Sequence, residues 1–181
     1  ENIDYVENEM GKDYVNEEKL KKILDLCDGF VLPGGSYWQI FDEYIVHYAI
    51  KKNKPILGIW LGFQTMCSMF AKNRVRLDMT RKLENETHYG KSNKYIHQVK
   101  IEKKSLLYDI LQKETILVNS VHHDVIDFEI EDLVIIARSP DGIIEAVTLP
   151  NHKFFLGVQW HPECLLDKNS LKILASFVEK L

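Results

Sequence analysis

Cysteine is scarce in this 181-residue chain: Cys27, Cys67 and Cys164 are the three, with no Cys-x-x-Cys pair. An odd, unpaired set excludes a disulfide framework and a cysteine zinc site of ordinary spacing. It suits a reducing compartment, so the cytoplasm is the expected location. Basic charge is not in excess either. Lys+Arg total 23 against 27 for Asp+Glu, a formal net charge of −4. A nucleic-acid-binding module usually carries the opposite balance, and nothing suggests a basic membrane-binding face. No apolar run approaches the roughly 20 residues that cross a bilayer. The chain opens at Glu1 without Met or a basic-then-apolar leader, so no signal peptide is read and residues ahead of Glu1 are expected to be either missing or disordered. Repeats, low-complexity stretches and interdomain linkers are also lacking. With 45% hydrophobic and 28% charged residues, what remains is an ordinary globular chain able to bury a sizeable core as one domain spanning 1–181.

What is present is an alternation of helical and strand signals. Residues 1–16 are polar and aperiodic and read as a loop. Residues 17–27 place Leu20, Ile23, Leu24 and Cys27 at helical spacing. Gly29-Phe30-Val31-Leu32 is a short apolar strand stopped by Pro33-Gly34-Gly35. Trp38, Phe41, Ile45, Tyr48 and Ala49 give a second helix that ends near Lys54-Pro55. Ile56-Leu57-Gly58-Ile59 is a second buried strand, and it runs through a sharp turn into a helix reaching about Ala71. Residues 72–94 show no clean period. Strands follow at 95–101 and 116–119, with a short helix at 105–112 between them. Three β-rich runs, 133–138, 143–149 and 153–159, are separated by Pro140-Asp141-Gly142 and Pro150-Asn151-His152 turns. A helix over 169–180 closes the chain. Apolar strands alternating with helices predict an α/β protein with a parallel sheet, here extended by an antiparallel C-terminal meander.

Three segments carry chemistry. Gly58-Ile59-Trp60-Leu61-Gly62-Phe63-Gln64 has two glycines, each two positions from the central residue. That is nucleophile-elbow spacing: the turn strains the middle residue, the glycines permit close packing, and the next helix aims its first amides at the site. Gly157-Val158-Gln159-Trp160-His161-Pro162-Glu163 ends the last strand with a histidine and a carboxylate two residues apart, a base and its orienting partner. Pro33-Gly34-Gly35 can aim a backbone N–H at a developing oxyanion. Each of these, alone, is also an ordinary turn or strand end.

Taken in order, the three segments resemble the class I glutamine amidotransferase-like superfamily, and within it the γ-glutamyl hydrolase branch that includes γ-glutamyl-γ-aminobutyrate hydrolase. Asp28-Gly29-Phe30-Val31-Leu32-Pro33-Gly34-Gly35 and Lys54-Pro55-Ile56-Leu57-Gly58-Ile59 carry the resemblance, with Asn119-Ser120-Val121-His122-His123, Asp141-Gly142-Ile143-Ile144-Glu145-Ala146 and the 157–163 segment. These blocks cover 28–163, about three quarters of the chain. The resemblance implies a flavodoxin-like three-layer sandwich with a mostly parallel central sheet. It also implies a strand and helix ahead of the residues present here. It aligns residue 60 with the family's nucleophilic Cys, His161 with the base and Glu163 with the carboxylate that orients it. The amides of Gly35 and Leu61 would be the oxyanion donors. Gly34, Gln64, Ser120, Val121 and His122 would line the γ-glutamyl site. The implied chemistry is attack on a γ-carbonyl, a thioester, and hydrolysis to glutamate, with no cofactor and no metal.

Residue 60, however, is Trp. An indole offers no nucleophilic atom comparable to a thiolate, so the thioester route is closed. Its bulk should also fill the space for the γ-carboxamide. Cys67 lies two helical turns further on, about 10 Å along the axis, and Cys27 reads as core. Cys164 is beside Glu163 but off the elbow. His122, His123 and Asp124 invite a metal reading, but adjacent residues rarely share one ion. His47, His88, His97 and His152 need no function, Trp38 and Trp160 read as packing, and the lysines at 51–54 and 100–104 read as solvated faces. The expectation is a γ-glutamyl amide hydrolase that is inactive in this form. Its alternatives are a catalytically dead scaffold for a binding partner, and a glutaminase subunit of an ammonia-using synthetase. Expected partners are a γ-glutamyl amide, with a homo-oligomer or a synthetase as the assemblies left open.

Overall fold

Apolar runs bounded by Pro and Gly become the centre of a seven-stranded sheet. The computed structural model describes residues 4–8, 11–15, 17–35, 40–71, 81–82 and 88–181. In chain order the elements are β1 (Asp4–Asn8), β2 (Gly11–Val15), α1 (Glu17–Leu26), β3 (Phe30–Leu32), α2 (Ile40–Lys52), β4 (Ile56–Ile59) and α3 (Leu61–Met69). There follow β5 (Arg81–Lys82), β6 (His97–Ile101), α4 (Leu106–Leu111), β7 (Thr115–Val118) and β8 (Asp124–Val125). The last are β9 (Val134–Arg138), β10 (Ile144–Thr148), β11 (Phe155–Val158), α5 (Pro162–Leu165) and α6 (Lys168–Val178).

The main sheet has the order β3-β4-β11-β10-β9-β6-β7. β3, β4 and β11 pair in parallel, and the other four pairings are antiparallel. Followed across the sheet, these pairings leave five of seven strands (β3, β4, β11, β9 and β7) running the same way. The sheet is therefore mostly parallel in direction, with the expected meander β9-β10-β11 inside it.

Both faces are covered. Ile56, Phe155 and Val147 face a core with Leu24 of α1, Val46 and Ala49 of α2, and Phe63 and Met66 of α3. Leu57, Leu156 and Ala146, one residue along each strand, face a second core with Leu107 and Leu111 of α4 and Ile173 and Phe177 of α6. Successive side chains of a strand point to opposite faces. A strand buried on both faces must then be apolar at every position, as β4 and β11 nearly are, and each is buried throughout. Among the described residues, no helix is long and apolar enough to cross a membrane.

Two sequence expectations need correction. Residues 1–16 are not simply a loop, because β1 and β2 pair as an antiparallel ladder. The ladder sets Tyr5 opposite Tyr14 and Glu7 opposite Lys12, a pairing between strands that leaves no period along either one. Lys54 is not a solvated lysine. Its ammonium donates to the carbonyls of Leu24 at 3.0 Å, Asp25 at 3.1 Å and Cys27. Those carbonyls lie at the C-terminal end of α1, where helix carbonyls run out of i+4 partners; the Leu24 carbonyl also accepts from Cys27 N–H at 3.2 Å. Trp38 lies outside the described residues.

The step from β4 into α3 depends on two close approaches. A Cβ on Gly62 would come within 2.3 Å of the Leu32 carbonyl oxygen and 2.6 Å of Leu32 Cβ, and one on Gly58 within 2.9 Å of the Gly62 backbone. Backbone cannot yield as a side-chain tip can. Gly62→Ala is expected to destabilise the fold by about 1–3 kcal/mol through overpacking, read as a lowered urea midpoint with unchanged slope. An unaltered midpoint would show that α3 is free to shift off β3.

Candidate active site at the strand-helix elbow

β4 ends at Ile59 and α3 begins at Leu61, so the reversal falls on Trp60 alone. Its backbone has φ 48° and ψ −99°, a conformation that is sparsely populated without glycine and costs on the order of 1–3 kcal/mol. The surroundings impose it. Trp60 N–H donates to the Val158 carbonyl at 2.9 Å, and its own carbonyl accepts from Gln64 N–H at 3.0 Å. That Gln64 bond starts the helical ladder, so the amides of Leu61, Gly62 and Phe63 have no acceptor within the helix.

Parallel pairing sets Val158 beside Ile59, and the residues just past both strand ends therefore meet. The His161 ring lies 5.8 Å from the Trp60 ring, centroid to centroid, tilted by 35°. His161 Nδ1 is 2.6 Å from Glu163 Oε1 in the first turn of α5. A carboxylate there accepts a hydrogen bond from Nδ1–H and, in the neutral ring, leaves Nε2 as the acceptor. Gly34 closes the third side: a Cβ there would sit 2.6 Å from His161 Cε1 and 3.3 Å from Trp60 Cε3. A Cβ on Gly35 would touch Leu61 Cδ2 at 3.4 Å. Trp60, His161, Glu163, Gly34, Gly35 and Leu61 are thus neighbours.

Gln64, Ser120 and His122 are placed differently: all three are buried. Gln64 Nε2 donates to the Asp124 carbonyl and to Gln159 Oε1, both at 3.3 Å. The Ser120 hydroxyl donates to the His88 carbonyl. Val121 forms an isolated antiparallel bridge with Tyr89, and His123 stacks on the Tyr89 ring at 4.2 Å.

Two groups were not singled out by sequence reasoning. Asn119, fully buried, clamps His161: its Oδ1 accepts from His161 N–H and its Nδ2 donates to the His161 carbonyl, both at 2.8 Å. The second group is a buried cluster. His88 Nδ1, His97 Nε2 and His122 Nε2 lie 3.3, 3.5 and 3.9 Å from Glu145 Oε1. His88 and His97, expected to need no function, belong here. No local motif could have revealed them, because the four residues come from four separate segments. Burial raises the Glu145 carboxyl despite the histidines beside it. Burial and the neighbouring His88 charge push His122 down to about 3. For His88, burial pulls down, but the Glu145 and Asp141 carboxylates outweigh it and the net shift is upward.

The pattern of the peptidase C26 family matches residues 38–163. The chain belongs to this family. It is 31% identical over 174 residues to the gamma-glutamyl-gamma-aminobutyrate hydrolase of Escherichia coli, covering 80% of this chain and 67% of that one. It is 30% identical over 193 residues to the CTP synthase of Thermotoga maritima, covering 87% of this chain and 36% of that one. The glutaminase domain of Trypanosoma brucei CTPS, solved with acivicin bound, superposes with a TM-score of 0.66 at 23% identity, covering 91% of this chain and 75% of that one. This last likeness establishes the shared fold.

Within this peptidase C26 chain, neither Cys67 nor Cys164 stands ready as a thiolate. Cys67 is fully buried and its thiol is pushed well above the ordinary range by that burial. Cys164 is exposed, and partial burial together with the Glu163 charge raises it. Native protein treated with a thiol-reactive disulfide at pH 8 is expected to leave Cys67 unmodified until it unfolds, as mass mapping of the labelled peptides would check. Labelling of Cys67 at the rate of Cys164 would contradict its burial. Asn119→Ala leaves the His161 amide and carbonyl without their partners, and a loss of about 1–3 kcal/mol in unfolding free energy is expected.

Proposed function

We propose that the chain is a γ-glutamyl amide hydrolase scaffold whose thioester chemistry is blocked at Trp60. One observation carries this: the residue at the strained elbow, against the His161–Glu163 pair, is an indole rather than a thiol. On this reading a thiolate at position 60 would attack a γ-carbonyl. His161 would hold its proton and pass it to the departing amine, with Glu163 steadying the imidazole. The amides of Gly35 and Leu61 would stabilise the oxyanion. Water would then release glutamate from the thioester. The indole supplies no such nucleophile, and its ring lies where the acyl group would need to approach His161. The γ-glutamyl hydrolase activity named for the E. coli relative supports the γ-glutamyl assignment.

The CTP synthase relative supports a second reading, in which the domain serves a synthetase as a glutaminase or survives as a docking scaffold for one. Three free cysteines fit a reducing cytoplasm.

Glutamate release from glutamine and a panel of γ-glutamyl amides separates the readings. The native chain is expected to release none. Trp60→Cys is expected to release it, and adding His161→Ala should lower that rate by about 10²–10⁴-fold. A folded Trp60→Cys protein that hydrolyses nothing in the panel would sink the hydrolase proposal and leave the scaffold reading. Release that needs an added synthetase would favour the glutaminase subunit.

A further inference from the structure

We propose that His88, His97, His122 and Glu145 form a buried four-coordinate site for a divalent transition metal of the zinc class. The inference stands apart from hydrolysis, because it rests on how four acceptor atoms face one another. Each histidine has its outward nitrogen engaged. His88 Nε2 is 3.0 Å from Asp141 Oδ2, His97 Nδ1 is 3.0 Å from the Gln98 carbonyl, and His122 Nδ1 is 3.1 Å from the Asp124 carbonyl. Carboxylates and carbonyls only accept, so in the neutral imidazole each outward nitrogen carries the proton and each inward nitrogen presents a lone pair. This is the arrangement that fixes the tautomer of metal-binding histidines, in which the second nitrogen donates to a carboxylate or a carbonyl. Asp141 is itself held by the Ser139 hydroxyl.

The three inward lone pairs, His88 Nδ1, His97 Nε2 and His122 Nε2, converge on Glu145 Oε1, itself an acceptor. All four atoms are buried and, among the described residues, lack a hydrogen-bond partner; the 3.3 Å His88 approach is close enough for a bond but misaligned. Acceptors facing acceptors repel unless a cation lies between them. One proton shared by His88 and Glu145 would leave the lone pairs of His97 and His122 unanswered, and each unmet buried group costs about 1–3 kcal/mol. A single ion answers all four. The spacing fits as well. Ligand atoms 2.0–2.1 Å from a tetrahedral ion lie roughly 3.3 Å apart, against the 3.3, 3.5 and 3.9 Å found to Glu145 Oε1, with all four atoms within 4.8 Å of one another. Three imidazoles with one carboxylate suit zinc and its neighbours rather than calcium or magnesium. Four protein ligands in a closed, buried shell describe a structural site rather than one that activates water. Such an ion would tie β6 and β10 to the segments carrying His88 and His122, three residues past the Asn119 clamp on His161.

The test uses the full chain, stripped with a chelator, and cobalt(II) as the probe. The expected result is one equivalent bound, with a four-coordinate visible spectrum and a raised melting temperature. Glu145→Gln is expected to weaken binding at least about 100-fold. Should that variant not fold, His97→Cys, at the edge of the cluster, gives an independent readout. If residue 97 is a ligand, a thiolate-to-cobalt charge-transfer band appears, which a merely structural histidine would not produce. Glu163→Ala is expected to leave cobalt binding intact, separating this cluster from the group of half-buried His161 with exposed Glu163 and Cys164. Failure of the folded, stripped chain to take up cobalt or zinc overturns the proposal. So does binding that is lost with Glu163→Ala, or a His97→Cys protein that binds cobalt without the new band.

Discussion

The parallel pairing of β4 with β11 is the constraint on which the rest depends. Its register sets Ile59 beside Val158, so whatever follows each strand is delivered to the same end of the sheet. Beyond β4 the chain must reverse within one residue to start α3, and beyond β11 it passes through His161 into α5. The Trp60 N–H bond to the Val158 carbonyl joins the two exits directly. A slip of one residue in this pairing would move every β11 side chain to the opposite face and separate His161 from the elbow. Both strands are buried on both faces, which makes such a slip costly. The geometry of the site is thus a consequence of core packing rather than of the site residues themselves.

That dependence explains what was legible in the sequence. Short apolar strands ending in Gly and Pro announce themselves, and the Pro140-Asp141-Gly142 turn marks the meander without ambiguity. Gly58 and Gly62 were readable because their reason is steric: the structure has backbone where a Cβ would go. The paired His161 and Glu163 were readable because two positions of spacing hold the motif together. The β1–β2 ladder was hidden because its pairing lies across strands, where a period along one strand cannot show it. Lys54 was hidden for a similar reason. A lysine within a basic stretch reads as surface until the end of another helix is placed over it.

The histidine cluster was the least legible feature. His88, His97, His122 and Glu145 share no spacing rule, and only the sheet order brings them together. β10 supplies Glu145, β6 supplies His97, and the other two histidines lie in segments joined by the His122 N–H bond to the His88 carbonyl at 3.1 Å. From the sequence, His122 was expected to line the γ-glutamyl site, and a metal shared by His122, His123 and Asp124 was set aside because adjacent residues rarely share one ion. In the structure adjacent side chains diverge, His122 into the cluster and His123 onto Tyr89. Buried polar groups are where patterns of hydrophobicity carry least information, because their satisfaction depends on partners brought in from distant segments.

The strained backbone at Trp60 is held by the Val158 and Gln64 bonds and by the close fit of Gly58 and Gly62, none of which involves the chemistry of the Trp60 side chain. Strained conformations persist when the surroundings over-determine them, so the elbow survives a change of side chain that its glycines would not survive. His161 is likewise held through its backbone by Asn119 rather than by residue 60. The framework of the elbow is therefore separable from the side chain at residue 60. On the proposed reading, a chain built this way carries an indole where a thiol would react and keeps His161, Glu163 and the loop that faces them. Such an exchange need not unravel the fold, because the forces that position the site lie in the sheet beneath it.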